Sequence, residues 1–425
     1  MTLNDSDIIH LLNRFGFGAD ADSVINYSAV RFQEQLFPKK VAELNWTHDM
    51  GALKAQSIQN MVLSENAPYE KLVLFWHHYF ACIIDKSKHA ILFSEVIRKH
   101  AFGNFRDLLL DVSKSAAMLH FLNGKKNKAG SPNENFAREL CEIYTLGEGN
   151  GYSERDVKEI ARCFTGWKYD DTGTFYLREK QFDSGMKTVF GKSGRYTGED
   201  VVELILSKPQ CANYLAEKIY TFFVNDRLSK KHVFEIRDCL MRTNYDLQET
   251  FAYIISVPWF YSDQNKMALI KSPIELIVGL GRTFRLKAAK ENNWFFVQKL
   301  LNHEFYKPKN VKGWPTGREW IDSSSLTLRM HLPQLIFGTN DIDFEVEPDL
   351  DQVPGSNKFV YLKDRLKFKA DWNYFLDSSK KVSPEKLWFN NKASDVANSI
   401  IKGHKGAISK EYVLDLLSLP EYQMH

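Results

Sequence analysis

A chain of 425 residues, 44% of them hydrophobic and 13% aromatic, has ample material for a packed core, which excludes a wholly disordered protein. Lys and Arg number 56 against 53 Asp and Glu, a net charge of +3; nucleic-acid binders concentrate positive charge, so no nucleic-acid partner is expected. No run of about 18 apolar residues occurs, so no membrane span is expected.

The chain opens on an amphipathic helix with Ile8, Ile9, Leu11, Leu12 and Phe15 as its apolar residues and Gly16 as its stop. A basic segment followed by an apolar run is missing there, so no secretory signal is expected. Residues 71–85 read as a second helix, with Leu72, Phe75, Trp76, Tyr79, Phe80 and Ile83 on one face and His77 and His78 flanking it. On such a helix His78, Cys82 and Asp85 would fall at i, i+4 and i+7, a spacing open to a metal. Spacing alone is common and no second ligand pair is evident, so a buried helix with hydrogen-bonded histidines is the preferred reading and no metal is expected. The five cysteines (Cys82, Cys141, Cys163, Cys211 and Cys239) are odd in number, widely spaced and without a CxxC. They read as buried thiols of a reducing compartment, and a cytoplasmic location is expected. Two short basic stretches, 125–128 and 307–312, read as solvated loops.

Ser131-Pro-Asn-Glu134 has the form of a capping box with proline at the first helical position. The helix it predicts carries Phe136, Ala137, Leu140, Cys141, Ile143 and Tyr144 on one side and Glu134, Asn135, Arg138, Glu139 and Glu142 on the other. Either the polar side is an ordinary i, i+4 ion-pair row, or it lines a cleft in which two carboxylates differ in pKa; Arg138 is expected to face a pocket or partner. Ser153 with Asp156 starts the next helix, which bears Val157, Ile160, Ala161 and Phe164 and ends near Gly166. Residues 167–169 and 174–177 flank Asp-Asp-Thr-Gly and suit a small hairpin. Thr197 with Asp200 starts another helix, and Pro209 separates it from one holding Leu215, Ile219 and Phe222. A helix over 246–256 stops at Pro258, and Ser272-Pro-Ile-Glu275 repeats the capping device. Helices are further expected over 294–306, 324–337, 384–402 and 410–418. The loop 310–320, with Lys312, Trp314, Arg318 and Trp320 among Gly313, Pro315 and Gly317, either plugs the core or offers a stacking platform for sugars or flat ligands.

These elements predict a mainly α fold, a multi-helical globular array with at most a small β-hairpin near residues 167–190. The expected division is a helical domain over 1–338, an irregular excursion over 339–383, and a C-terminal helical pair over 384–425 packing on the main domain.

Several segments resemble, in order, the motifs of the bacterial DUF1800 family: His10-Leu-Leu-Asn-Arg-Phe-Gly-Phe-Gly18, Phe75-Trp-His-His78, Asn133-Glu-Asn-Phe-Ala-Arg-Glu-Leu140 with Tyr144-Thr-Leu-Gly147, Phe164-Thr-Gly-Trp167 and Asn310-Val-Lys-Gly-Trp-Pro315. The resemblance implies a helical fold and a possible partner, since genes of the family often neighbour one for a protein resembling the alkaline-phosphatase superfamily. It also implies that many members are exported, and it supplies no catalytic residues. Family members commonly have histidine where this chain has Tyr79, Tyr144 and Phe182. If those histidines form one metal site, the three aromatic residues here should lie together, with the metal lost.

No GxSxG, HExxH, Walker or GxGxxG pattern occurs. The leading expectation is a binding or accessory protein working with an alkaline-phosphatase-like hydrolase, without a cofactor. The alternatives are a hydrolase acting on a carbohydrate or other polar substrate and a structural helical scaffold. In the hydrolase reading Glu139 and Glu142 are acid and base and Arg138 orients substrate, with Asn135, His77, Trp167, Trp314, Arg318 and Trp320 in binding roles. A deep pocket combining Glu139, Arg138, His77 and Trp167 would favour the enzyme.

Overall fold

Side-chain caps decide where most helices begin in the computed structural model, which describes residues 2–338, 366–404 and 406–425. Asn4 and Asp7 form a capping box for α1 (Asp5–Phe15), and Asp20, Ser28 and Asp49 cap α2 (Ala21–Ile25), α3 (Ala29–Leu36) and α4 (Met50–Leu63). Then come α5 (Ala67–Tyr79), with Pro68 in its first turn, α6 (Ser87–His100), α7 (Phe105–Lys114) and α8 (Ala116–Phe121). The short α9 (Asn135–Glu139) runs into a π-helical segment, Leu140–Thr145. Full capping boxes start α10 (Glu154–Cys163) at Ser153 and α11 (Gly198–Leu206) at Thr197. Between them lie two hairpins, β1 (Trp167–Tyr169) with β2 (Phe175–Leu177) and β3 (Lys187–Val189) with β4 (Lys192–Gly194), both antiparallel. The chain continues through α12 (Pro209–Phe223), α13 (Lys230–Arg242), α14 (Leu247–Ser256), α15 (Pro273–Thr283), β5 (Lys287–Ala288), α16 (Asn292–Leu300) and α17 (Ser323–Phe337). After the undescribed residues follow β6 (Phe368–Lys369), which pairs antiparallel with β5, then α18 (Trp372–Ser379), α19 (Pro384–Phe389), α20 (Asp395–Gly403) and α21 (Lys410–Leu417).

The fold is mainly α, as expected, with three small two-stranded sheets among the described residues. The hairpin anticipated at 167–177 forms in the register Trp167↔Leu177 to Tyr169↔Phe175. No helix of the described residues is long and apolar enough to cross a membrane. All five cysteines are buried and free.

Four expectations are corrected. The helix expected over 71–85 stops at Tyr79, because the chain turns extended to join the 303–306 segment, where the Ile84 amide donates to the Tyr306 carbonyl at 2.9 Å. His78, Cys82 and Asp85 therefore do not share a helical face. The box at Ser131 does not form either. Buried Asn127 accepts the Asn133 amide at 3.0 Å and donates to the Ala161 carbonyl at 2.9 Å, holding the chain in a turn until α9 starts at Asn135 without a side-chain cap. The helix expected over 294–306 ends at Leu300, before Asn302 in a left-handed conformation (φ 55°). The stretch 384–402 is two helices, parted by left-handed Asn390 and Asn391. Of the expected excursion 339–383, residues 339–365 lie outside the described ones, and the remainder forms β6 and α18.

Among the described residues, the main apolar core draws on residues from Ile8 to Tyr422, with Ala81, Trp314 and Trp320 in a small separate cluster. The last described segment closes on the first helices: the His425 ring meets the Asn13 carbonyl at 3.0 Å, and Lys386 pairs with Asp5 at 2.6 Å. Helix α15 crosses the segment after α1 so closely that a Cβ at Gly279 would lie 2.8 Å from the Phe17 carbonyl oxygen. That close approach sets up the site described next.

Candidate functional site: a buried cationic centre

Helix α5 places Lys71, Phe75 and His78 at i, i+4 and i+7, so an ammonium and an imidazole share a stripe with apolar neighbours. Lys71 is 0% exposed. Its ammonium donates to the Gly16 carbonyl at 3.1 Å and forms an ion pair with Glu275. Glu275 is the third residue of α15 and completes the capping box: one carboxylate oxygen accepts the Ser272 amide at 2.6 Å while the other meets Lys71. Burial alone would raise the Glu275 pKa; the charge of Lys71, with the hydrogen bonds from Lys71 and Ser272, outweighs it and holds the carboxyl well below the usual range.

Three more cations surround this pair. Arg14 of α1, wholly buried, donates one Nη2 bond to the Asn265 carbonyl at 2.5 Å, while its Nε and Nη1 have no partner. Arg329 of α17, 1% exposed, donates to Gln423 Oε1 at 3.1 Å and to the Lys271 carbonyl at 2.5 Å, and its Nη1 has no partner. Lys271 donates to the Tyr422 carbonyl at 2.6 Å and lies 4.0 Å above the Tyr422 ring. Burial lowers the pKa of Arg14 to about 9, of Arg329 to about 10 and of Lys271 to about 7, with Glu275 opposing the shift in each. Asp226 also reaches Arg14 electrostatically, and it sits 3.7 Å from Arg318.

A wall of rings adjoins the charges. His78 Nε2 and His303 Nε2 are 2.7 Å apart. The Ile274 amide points at His303 Nδ1 from 3.4 Å, which makes His303 Nε2 the donor and His78 the acceptor. Burial depresses both, His78 to about 4 and His303 well below its ordinary value, so both are neutral at pH 7. Trp314 stacks on His78 at 5.3 Å and Trp320 on His303 at 4.8 Å. Gly313, at φ 97°, lets this loop lie against the end of α5, where a Cβ would be 3.1 Å from that of Ala81. His77 faces the other way, toward Phe305 and Tyr306, with its Nε2 unpartnered and its pKa lowered to about 3 by burial. Beside it is a cavity of about 20 Å³, the size of a single water, lined in part by Ser57, Ser94 and Tyr306.

Three of the motif segments read from the sequence meet here: Arg14 from the first, His77 and His78 from the second, Trp314 from the last. A family model described as "Protein of unknown function (DUF1800)" matches residues 10–424. The chain belongs to the DUF1800 family. No curated protein and no solved structure matches it.

In this DUF1800 chain the residues singled out from sequence fall into three places. Arg138 sits in a surface ion network with Glu154 at 2.7 Å, Glu134 at 3.2 Å and Glu142 at 3.3 Å, its side chain 32% exposed. Asn135 is exposed next to it. Glu139 is half-buried; burial and the neighbouring Glu142 raise its pKa against Arg138 and Lys312. Trp167 is buried between Phe164 and Phe175, with Lys114 over its ring. Trp314 and Trp320 belong to the centre, each with a face against histidine, His77 lies behind them beside Trp314, and Arg318 reaches only the rim through Asp226. Glu139, Arg138, His77 and Trp167 thus do not share one pocket. Tyr79 and Tyr144 do lie together, the Tyr79 hydroxyl donating to the Tyr144 carbonyl at 2.8 Å. Phe182 lies elsewhere, against the Gly166 backbone and under the Lys187 ammonium, so the three positions do not form one emptied metal site. Among the described residues no group of three or more His, Cys, Asp or Glu is placed to hold a metal ion.

Sequence reasoning missed Lys71, Lys271, Arg14, Arg329, His303 and His425 as site residues, and read Glu275 as a cap alone. The usable signal was a lysine inside the apolar stripe of α5 and an arginine in the first amphipathic helix.

Proposed function

We propose that this DUF1800 protein is a binding protein whose small ligand is held in the buried centre between α1, α5, α15, α17 and the 303–320 loop. The observation that carries this reading is the set of unpartnered buried donors on Arg14, Arg329 and Gln423. Each such group costs about 1–3 kcal/mol when left unpaired, and sites with that deficit are completed by a ligand or ordered water. Thiol catalysis is not favoured: burial raises the pKa of all five cysteines. Their buried, unpaired state fits a reducing compartment, and we place the binding role in the cytoplasm. The family resemblance suggests the setting, a ligand-holding accessory to an alkaline-phosphatase-like hydrolase.

Native mass spectrometry of the chain purified from a bacterial host tests the binding reading. The expected result is a small molecule, near one per chain, released on denaturation and absent from Arg329→Met. A chain that carries nothing, and whose melting temperature no compound of a metabolite panel raises, contradicts it.

A second reading, acid–base hydrolysis of a carbohydrate or other polar substrate, has one observation in its favour, the raised carboxyl of Glu139 beside Glu142. It requires hydrolysis of some glycoside or ester that Glu139→Gln abolishes.

A further inference from the structure

We propose that the ligand of the buried centre is a doubly charged oxyanion, a phosphate group, held by Arg14, Arg329, Lys71 and Lys271. The inference rests on the binding reading above and names its ligand class.

Charge comes first. Among the described residues, Arg14, Lys71 and Arg329, with Lys271 half-charged near pH 7, lie around one buried carboxylate, Glu275, which acts electrostatically on all four. Buried charge without a counter-charge is strongly unfavourable. Asp226 compensates only Arg14, from the rim. His78, His303 and His425 are held neutral by burial and contribute no countercharge. The deficit is therefore negative charge, and a dianion supplies more of it than a monoanion.

The unpartnered atoms agree. Arg14 Nε and Nη1, Arg329 Nη1 and Gln423 Nε2 are all donors. A neutral polyol would bring donors of its own into a place already rich in them. A water could satisfy one or two of these atoms but would leave the charge uncompensated. A doubly ionised phosphomonoester offers only acceptors, free hydrogen phosphate offers three charged acceptor oxygens beside a single hydroxyl, and guanidinium groups are the preferred partners of both.

Depth limits the source. Arg14 and Lys71 are wholly buried and Arg329 nearly so, so the group must be small and able to leave bulk water entirely. Free phosphate and a short phosphomonoester share this chemistry, and an experiment can separate them.

Calorimetric titration of the full chain with inorganic phosphate, glycerol phosphate and chloride provides the test. Saturable binding of inorganic phosphate or glycerol phosphate is expected, with chloride silent; the tighter of the two identifies the source. Loss of one charge-assisted contact should weaken binding about ten- to hundredfold, so Arg329→Met and Lys271→Met should each do so, while Arg138→Ala on the surface network should not. Lys271→Met serves if Arg329→Met fails to fold. Absence of saturable binding by both phosphate compounds overturns the proposal, as does binding that Arg329→Met and Lys271→Met leave intact. If a neutral compound of the metabolite panel instead binds with sensitivity to Arg329→Met, the binding reading stands and the oxyanion is wrong; if the purified chain carries nothing and no compound of that panel binds, both fall.

Discussion

At the scale of single residues, the Lys71–Glu275 pair holds the centre together. Removing one partner of a buried ion pair strands the other, which typically costs about 3–5 kcal/mol. Lys71→Met should therefore lower stability to urea by about that much, whereas Lys312→Met, whose ammonium is exposed and 3.7 Å from exposed Glu148, should change it by less than about 1 kcal/mol. Equal midpoints for the two variants would remove Lys71 from the core of the account. The histidines set a pH window. Folded His78 titrates near 4 and His77 near 3, both below the ordinary value of 6.5, with burial the main cause. Between those values the unfolded chain binds protons that the folded chain refuses, so stability must fall as pH is lowered from 6.5. The depressed carboxyl of Glu275 adds its own loss only below its ordinary value of 4.5, and the raised carboxyl of Glu139 opposes the decline above 4.5, so a net fall between 6.5 and 4.5 reports the histidines. Urea denaturation across that interval should show a midpoint that declines with acid, and a flat profile would contradict their burial as neutral rings.

At the scale of elements, local chemistry was legible wherever a cap and its apolar stripe were undisturbed by distant partners. Ser153, Thr197 and Ser272 all start helices as full boxes. Ser131 carries the same signature and fails, because the Asn127 side chain, tied to α10 through Ala161, claims the Asn133 amide first. A tertiary hydrogen bond of that kind leaves no mark in the local pattern. The paired substitutions separate the two cases: Ser272→Ala should destabilise by about 1 kcal/mol or more, as for a lost N-cap, and Ser131→Ala, exposed and capping nothing, should leave the denaturation midpoint unchanged. A clear loss at Ser131 would mean that α9 begins earlier than described. The extension of α5 was overread for a related reason. Its apolar spacing continues past Tyr79, but the backbone of Ile84 is taken by Tyr306, more than two hundred residues away.

At the scale of the whole molecule, a net charge of only +3 hides an interior where, among the described residues, buried cations outnumber buried carboxylates. Four helices each bring a charged residue to it: Arg14 from α1, Lys71 from α5, Glu275 from α15 and Arg329 from α17. Read singly, each is an unremarkable charge, and only the fold brings residues 14, 71, 275 and 329 to one place. The polar row on α9 stood out in sequence because its charges lie four residues apart, yet the structure spends them on one another at the surface. The closing contacts of residues 422–425 belong to the centre as well, since Gln423 and the Tyr422 carbonyl orient Arg329 and Lys271. On the reading proposed above, the ligand enters this interior and not the α9 face. Anomalous diffraction from a crystal soaked in selenate, a heavy-atom analogue of a doubly charged oxyanion, tests it most directly. One selenium peak within contact of Arg14 and Arg329, lost in Arg329→Met, is expected. Selenate found only at Arg138 or on the surface, with ordered water alone in the centre, would contradict it.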